Sequence, residues 1–538
     1  MSLGAMQDFP LRISRIIDHA EREHGSREIV AARADGSTYR TSWREIARRS
    51  RQLAQALVRA GIRPGDRVAT LAMNHDRHLT AWFGVVGCGA VLHTINPRLF
   101  DDQLDFIANH ASDRLLLYDA SFAPLVERMR PWWPTIERYI EFDSAFDSEF
   151  DSWLDREDGE YAWVEGDERD PCGLCYTSGT TGNPKGVLYE HRSTVLHAMS
   201  VIAPDIFDVS ARSVFLPIVP MFHANSWCIP YAAAIAGFKL VTCADNQPDR
   251  LCALFEAEAV THSAGVPTVW FGMIDHVEQT GAGLGKLETI ITGGSSAPPA
   301  TIAWFRERNI RVNHLWGMTE MSPVGTVGAP PANWDEMSDD EQIAYLARPG
   351  RPMFGVELRT LDDKGKVLPR DGVTAGRLEA RGAAVVKRYF REERDCVDGQ
   401  QWFDTGDMAI IFPDGSIQIT DRLKDVIKSG GEWISSIDLE NAAVGCPGVA
   451  EAAAIGIPHP KWDERPLLVV VRDEGSAVSA DDIRAHLSTE VAKWWLPDAI
   501  EFVDTLPHTA TGKLSKKTLR EQFAGYSLAD GAAKAPRD

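Results

Sequence analysis

The sequence predicts an α/β protein: a large amino-terminal domain of doubly wound sheets ending in a small β region, then a small α+β carboxy-terminal domain. Three observations predict it. Short β-branched or aliphatic runs alternate with longer helical patterns through the first 320 residues, and such alternation favours open, mostly parallel sheets wrapped by helices. After about Arg348, glycines and charged residues become frequent and turn signals separate the apolar runs, which is the texture of antiparallel hairpins. The 538 residues also exceed what one hydrophobic core usually serves.

Taken in order, Arg67–Met73, Arg114–Tyr118, Leu174–Tyr176, Ser213–Ile218, Lys239–Thr242 and Glu288–Thr292 are short apolar runs of strand length, as strands buried on both faces require. Ser42–Ala60 and Asp101–Ala111 carry apolar residues at helical spacing. Val356–Leu361 and Ser416–Thr420 are strands of the β region, with turns at Asp362-Asp-Lys-Gly365 and Pro413-Asp-Gly415. Beyond Asp425, Ser436–Ala443, Ala450–Gly456, Leu467–Val471, Ala480–Val491 and Ala499–Val503 compose the α+β unit. The final stretch, Leu528–Asp538, is small or polar and is expected to be disordered.

Composition narrows the function classes. Hydrophobic residues make up 44% and charged residues 25%, with a formal net charge of -21. Such a surface repels DNA, RNA and anionic lipid, so no nucleic-acid partner is expected. A polyanionic ligand could bind only through locally placed amides, lysines and arginines. The longest apolar runs, around Ala81–Leu92 and Cys228–Leu240, are too short or too broken by Pro and Gly to span a bilayer. The first residues lack the basic and apolar regions of a signal peptide, and a cytoplasmic location is expected. Eight cysteines at irregular spacings make no disulfide framework. Cys172-Gly-Leu-Cys175 has no second cysteine pair or His cluster nearby, and its apolar flanks suggest two thiols packed on a buried strand rather than a metal site.

The most informative segment is Tyr176-Thr-Ser-Gly-Thr-Thr-Gly-Asn-Pro-Lys-Gly186. It follows a strand and holds three glycines, four Ser/Thr hydroxyls and one lysine. Glycines let backbone amides approach an anion closely, hydroxyls donate further bonds and Lys185 supplies charge, so this is a phosphate-gripping loop. It is not the Walker pattern, because Pro184 stands where that pattern requires Gly.

Further strings follow in order: Pro220-Met-Phe-His223-Ala-Asn-Ser-Trp227, Thr292-Gly-Gly-Ser-Ser-Ala-Pro298, His314-Leu-Trp-Gly-Met-Thr-Glu320, Trp402-Phe-Asp-Thr-Gly-Asp407, Asp421-Arg-Leu-Lys-Asp425, Lys428-Ser-Gly-Gly-Glu-Trp433 and Pro507-His-Thr-Ala-Thr-Gly-Lys513. Together they resemble the adenylate-forming superfamily of acyl-CoA synthetases, luciferases and peptide-synthetase adenylation domains, over nearly the whole chain. His93-Thr-Ile-Asn-Pro-Arg98, Trp227, Lys428–Ser435 and Pro460-Lys-Trp-Asp-Glu-Arg-Pro466 are most similar to bacterial medium- and long-chain fatty-acyl-CoA synthetases.

The resemblance implies ATP, Mg2+ and coenzyme A as cofactors and co-substrate, and a set of roles. The loop residues Thr177, Ser178, Gly179, Thr180, Thr181, Gly182 and Lys185 would hold the phosphates. Thr177 and Glu320 would hold Mg2+, for which hydroxyl and carboxylate are suitable hard ligands. Trp316 falls where the family stacks an aromatic ring, more commonly Tyr, on adenine. Gly293, Gly294, Ser295 and Ser296 would border adenine and the acyl carboxyl, and Thr319 would bond the α-phosphate. Asp407 would accept both ribose hydroxyls, with Arg422 as a second ribose or phosphate contact. Lys513 would bridge the acyl carboxylate and α-phosphate during adenylation. Lys424 would be the hinge between a large domain, residues 1–421, and a small mobile domain, residues 425–538, whose Lys428 and Trp433 reach the nucleotide or the pantetheine channel. His223 would lie against the acyl site, and Trp227 would gate a fatty-acid tunnel.

The expected activity is thus ATP-dependent ligation of an acid to CoA through an acyl-adenylate, with medium- or long-chain fatty acids as substrates. A short thioether or aryl acid remains an alternative. A non-catalytic acyl- or nucleotide-binding protein would be expected to lack Lys513 or Glu320, which are present. Similar enzymes dimerise through the amino-terminal domain, and a homodimer is an expectation here.

Overall fold

The computed structural model describes residues 4–34, 36–142, 149–177, 183–429, 432–508 and 514–526, with the side chains of Glu432 and Trp433 outside the description. The described residues form four sheets. The largest has nine strands in the spatial order Arg351–Pro352, Val324–Val327, Arg311–Gly317, Thr289–Gly293, His262–Gly265, Val214–Pro217, Lys239–Cys243, Glu28–Ala32 and Thr38–Ser42. Its middle is parallel, from Arg311–Gly317 to Glu28–Ala32, and both margins are antiparallel. A six-stranded sheet runs Arg138–Phe142, Asp113–Asp119, Arg67–Leu71, Val91–Thr94, Pro171–Tyr176 and Gly186–Glu190, parallel except for the last hairpin. These are the doubly wound sheets the alternation implied. The chain does not fill them one after the other, since Glu28–Ala32 pairs with Lys239–Cys243 across more than two hundred residues.

Sequence chemistry accounts for the packing between helices. In Trp43–Arg59 the buried Trp43, Ile46, Ala47, Ser50, Leu53, Ala54 and Leu57 line one face, and the Ser42 side chain caps the helix by accepting from the Glu45 amide. That face meets helix Asp76–Gly87 at Gly84, where an added Cβ would lie 2.8 Å from the Ser50 carbonyl oxygen. Helix Asp101–Ala111 has the bounds its periodicity implied. The strand beginning at Arg67 ends at Leu71 rather than Met73, because the Met73 amide leaves the ladder and donates to the Asp119 carboxylate at 2.8 Å. Cys172 and Cys175 are packed thiols on strand Pro171–Tyr176. Burial pushes the Cys172 thiol up to about 12 and raises that of Cys175.

The later β region is a four-stranded antiparallel sheet, Val356–Leu361, Ala375–Gly382, Phe403–Ile411 and Ile417–Arg422. The small domain has a five-stranded sheet, in which Asp463–Arg472 pairs with Ile427–Ser429, Val449–His459 and Ala499–Phe502, and Glu432–Ile434 adds to Ile427–Ser429. Its helices are Ser436–Val444, Ala480–Glu490 and Lys516–Gln522. One core there gathers Ile427, Ile434, Leu439, Leu468, Val470, Ile483 and Leu487. Among the described residues, no helix is long and apolar enough to cross a membrane. The expectation of disorder over Leu528–Asp538 lies outside the described residues.

Candidate active site

His223, Gly293 with Gly294, and Trp316 all lie at or just beyond the carboxyl ends of parallel strands of the nine-stranded sheet: Val214–Pro217, Thr289–Gly293 and Arg311–Gly317. Thr177 occupies the same position after Pro171–Tyr176 in the second sheet. In open α/β sheets that edge is where ligands bind.

The phosphate loop is closed at its base, where the Thr177 amide donates to the Lys185 carbonyl at 2.9 Å and the Lys185 amide donates to Thr177 Oγ1 at 3.3 Å. Ser178, Gly179, Thr180, Thr181 and Gly182 lie outside the described residues, as does Lys513. Lys185 Nζ sits 4.8 Å from the centre of the Tyr389 ring. The Tyr389 hydroxyl donates to Glu320 Oε1 at 2.9 Å. The backbone stitches the same pieces together. Phe390 N–H donates to the Gly186 carbonyl at 2.8 Å, and Val386 N–H to the Glu320 carbonyl at 2.7 Å. The segment from Val386 to Phe390 therefore clamps the phosphate loop to the turn bearing Thr319 and Glu320. No sequence signal marked Tyr389, one of two adjacent rings, with Phe390, among charged neighbours.

Glu320 is 8% exposed. Burial raises its carboxyl above the usual range, opposed by the Tyr389 hydroxyl and by Arg422 and Lys185. A buried carboxylate in that state suits a divalent cation, which would restore its charged form. Among the described residues no group of three His, Cys, Asp or Glu side chains could form an all-protein cage. The donor set fits Mg2+ held by one carboxylate, one hydroxyl, substrate phosphates and water. Tyr189, another residue without a sequence signal, donates its hydroxyl to the Thr319 carbonyl at 2.7 Å and fixes the same turn.

Asp407 is 1% exposed and pairs directly across the sheet with Arg422. Its Oδ1 lies 2.9 Å from Arg422 Nε, and its Oδ2 accepts from Trp316 Nε1 at 2.9 Å. Trp316 is 8% exposed. Gly294 and Ser295 are exposed beyond their strand, and Gly294 has φ +91°, a conformation glycine adopts without strain. Ser296 Oγ donates to Asn441 Oδ1 of the small domain at 3.1 Å. Buried Gly293 faces the Leu315 side chain, which an added Cβ would meet at 2.4 Å.

His223 lines a small cavity with Asn96, Leu99, Tyr176 and Phe222, beside the strand that leads into the phosphate loop. Trp227 is 5% exposed and belongs to the main hydrophobic core. Between them the backbone does something the sequence did not announce. Ala224, Asn225, Ser226, Trp227 and Cys228 all have positive φ, from 44° to 63°. A left-handed turn of non-glycine residues costs roughly 1–2 kcal/mol per residue. Ser226 Oγ, donating to the Val219 carbonyl at 2.9 Å, helps hold it. Asn74 anchors the approach, donating to the carbonyls of Pro217 and Val219 and accepting from the Met221 amide.

Around the expected hinge, Asp421 Oδ2 accepts from the amide and hydroxyl of Ser436, each at 2.7 Å. Lys516 Nζ bonds Ser436 Oγ and pairs with Glu440 Oε1 at 2.7 Å. Burial opposes the Lys516 charge, but Glu440 and Asp421 outweigh it and hold the ammonium above its ordinary value. Arg520 reaches both the Lys424 carbonyl and Asp425. Lys428 faces Trp433 across the hairpin of Ile427–Ser429 and Glu432–Ile434.

A phosphate loop, a buried carboxylate beside it and a second buried carboxylate on the neighbouring β sheet define a nucleotide-dependent enzyme, and comparisons with known proteins agree. The AMP-binding enzyme family model matches residues 17–390 and the AMP-binding enzyme C-terminal domain matches residues 438–513. The chain is 46% identical to a 3-methylmercaptopropionyl-CoA ligase of Ruegeria lacuscaerulensis, over 97% of this chain and 99% of that one. It is 42% identical to a medium-chain-fatty-acid–CoA ligase of Ectopseudomonas oleovorans, over 98% of each chain. The crystal structure of the anthranilate CoA ligase AuaEII with anthranoyl-AMP superposes with a TM-score of 0.86 at 23% identity, covering 97% of this chain and 99% of that one. The chain belongs to the AMP-binding enzyme family. Within it, the protein is an AMP-forming acyl-CoA synthetase that uses ATP and CoA.

Proposed function

We propose that this enzyme activates a short apolar carboxylic acid, a thioether acid of the 3-methylmercaptopropionate type first among candidates. The single observation that carries this reading is similarity: 46–47% identity to two 3-methylmercaptopropionyl-CoA ligases, against 42% to a medium-chain and a long-chain fatty-acid ligase. The buried Trp227 supports it, since an indole held in the main core suits a pocket wall. Medium-chain fatty acids are the second reading, favoured by the 42% relative.

In this account the first half-reaction is attack of the substrate carboxylate on the α-phosphorus of ATP with loss of pyrophosphate. Thr177, Lys185 and the loop amides hold the phosphates, and Thr177 and Glu320 would hold Mg2+, which would supply positive charge to the phosphate oxygens. Thr319 and Lys513 hold the reacting groups, and positioning with electrostatics does most of the work. Asp407 and Arg422 hold the ribose, Trp316 the adenine, and Gly293, Gly294, Ser295, Ser296 and His223 border the acyl end. The small domain then turns at Lys424, withdraws Lys513 and brings Lys428 and Trp433 towards the site, so that the CoA sulfur displaces AMP while water stays excluded. A cytoplasmic homodimer completes the reading.

The test is pyrophosphate release over acids of graded length, from propionate and 3-methylmercaptopropionate through octanoate to palmitate. The proposal expects the highest kcat/KM at the short thioether acid and decline beyond six carbons. A maximum at octanoate or longer would transfer the assignment to fatty acids.

A further inference from the structure

We propose that Trp316 acts as a positioning residue for ribose recognition: its indole N–H fixes the carboxylate of Asp407, so the enzyme selects a ribose over a deoxyribose through an aromatic residue that need not touch the sugar. This rests on the reading in which Asp407 accepts the ribose hydroxyls.

The geometry starts from two sheets. Trp316 is the next-to-last residue of Arg311–Gly317, in the nine-stranded sheet, and Asp407 lies on Phe403–Ile411 in the four-stranded one. They meet where a core cluster of Trp316, Met321, Val356, Leu358, Leu378 and Ala409 joins the sheets. The indole has little choice of orientation. Its six-membered ring lies over Gly325, where an added Cβ would come 2.9 Å from Cζ3 and 3.1 Å from Cε3. With that end wedged, the five-membered ring presents Nε1 to Asp407 Oδ2 at 2.9 Å. On the other side the Arg422 guanidinium holds Oδ1, at a position the strand register sets by pairing Asp407 with Arg422.

Each carboxylate oxygen carries two acceptor directions. With one direction of Oδ2 assigned to the indole and one of Oδ1 to the guanidinium, the rotation of the carboxylate is fixed. The plane of the carboxylate is thereby turned to one orientation, as a fork for two vicinal hydroxyls requires. The Arg422 side chain is 44% exposed, so it holds Oδ1 less firmly than the buried indole holds Oδ2. A phenylalanine would keep a ring for adenine and lose the donor. A tyrosine places its hydroxyl beyond the far end of a six-membered ring, so it cannot reproduce the Nε1 position either. The indole therefore serves both the ribose acceptor and the core between the two sheets.

The experiment measures KM and kcat in acid-dependent pyrophosphate release for ATP, 2′-deoxy-ATP, 3′-deoxy-ATP and GTP, in the wild type, Trp316→Phe and Gly325→Ala. The wild type is expected to prefer ATP over both deoxynucleotides. In Trp316→Phe that preference should fall about tenfold or more, the loss expected when a bond to a buried carboxylate is removed. The preference for ATP over GTP should survive, because a ring remains. Gly325→Ala keeps the indole but displaces it, and should lose ribose preference in the same direction. It also provides the answer if Trp316→Phe fails to fold. Unchanged ribose preference in a folded variant overturns the positioning role. Loss of base and ribose preference together also overturns it, since that pattern means general disruption of the pocket. A wild type indifferent to the deoxynucleotides would instead refute the ribose role of Asp407.

Discussion

Replacing Tyr389 by phenylalanine isolates one hydroxyl at the centre of the proposed phosphate and metal site. That hydroxyl donates to Glu320 Oε1 at 2.9 Å, and it is the largest influence opposing the effect of burial on a carboxyl that is 8% exposed. A hydrogen bond to a charged group is worth about 1.5–3 kcal/mol. Removing it should raise the Glu320 carboxyl further above its usual range. The sign follows from which form loses the bond: the ionised form is destabilised, so more of the enzyme is protonated at a given pH and fewer molecules can hold Mg2+. The Lys185 contact with the ring face should persist, since phenylalanine keeps that face. The assay is acid-dependent pyrophosphate release as a function of pH and Mg2+. The acidic limb of kcat/KM should move to higher pH, and half-saturation by Mg2+ should need more metal as the pH falls through that limb. An unmoved limb together with unchanged Mg2+ dependence would refute the assignment of Glu320 and the role given to Tyr389.

Two further outcomes are expected. Lys424→Pro should restrict the backbone at the hinge. Adenylate should then form at a near-normal rate while thioester formation collapses, which rapid-quench assays of the two half-reactions would reveal. Four buried histidines predict acid lability. Burial lowers His191 and His197 to about 3, and His78 and His314 to about 4, from an ordinary 6.5. Because the unfolded chain takes up these protons first, stability is lost as pH falls through 6.5. At pH 5.5 each group should cost about 1.4 kcal/mol, roughly 5 kcal/mol together. Urea unfolding at pH 7.5 and 5.5 checks it, and equal stability would count against neutral buried histidines.

Most of the candidate site was legible because its chemistry is written in short strings. A loop of glycines and hydroxyls ending in Lys185, and acidic residues such as Glu320 and Asp407 after glycines, are the strings from which the proposed anion and sugar contacts are read. The alternation of strands and helices was legible for the same local reason. What could not be read depends on partners distant in sequence. Tyr389 meets Glu320 across 69 residues, Trp316 meets Asp407 across 91, and Lys516 meets Ser436 across 80. None of those residues follows a period or a motif that names its partner. The left-handed turn at Ala224–Cys228 was hidden for a different reason: none of its residues is glycine, so local propensity argues against the conformation that tertiary packing imposes.

The account stands on one site working in two orientations, and separate measurement of the two half-reactions in Lys513→Ala tests this most directly. Single-turnover mixing of the variant with MgATP and acid should show adenylate formation slowed about a hundredfold or more, as loss of a cation that stabilises developing charge requires. The same variant, supplied with pre-formed acyl-adenylate and CoA, should release AMP and thioester at close to the wild-type rate. An equal loss in both half-reactions would mean that Lys513 serves a single unchanging site, and would contradict the account.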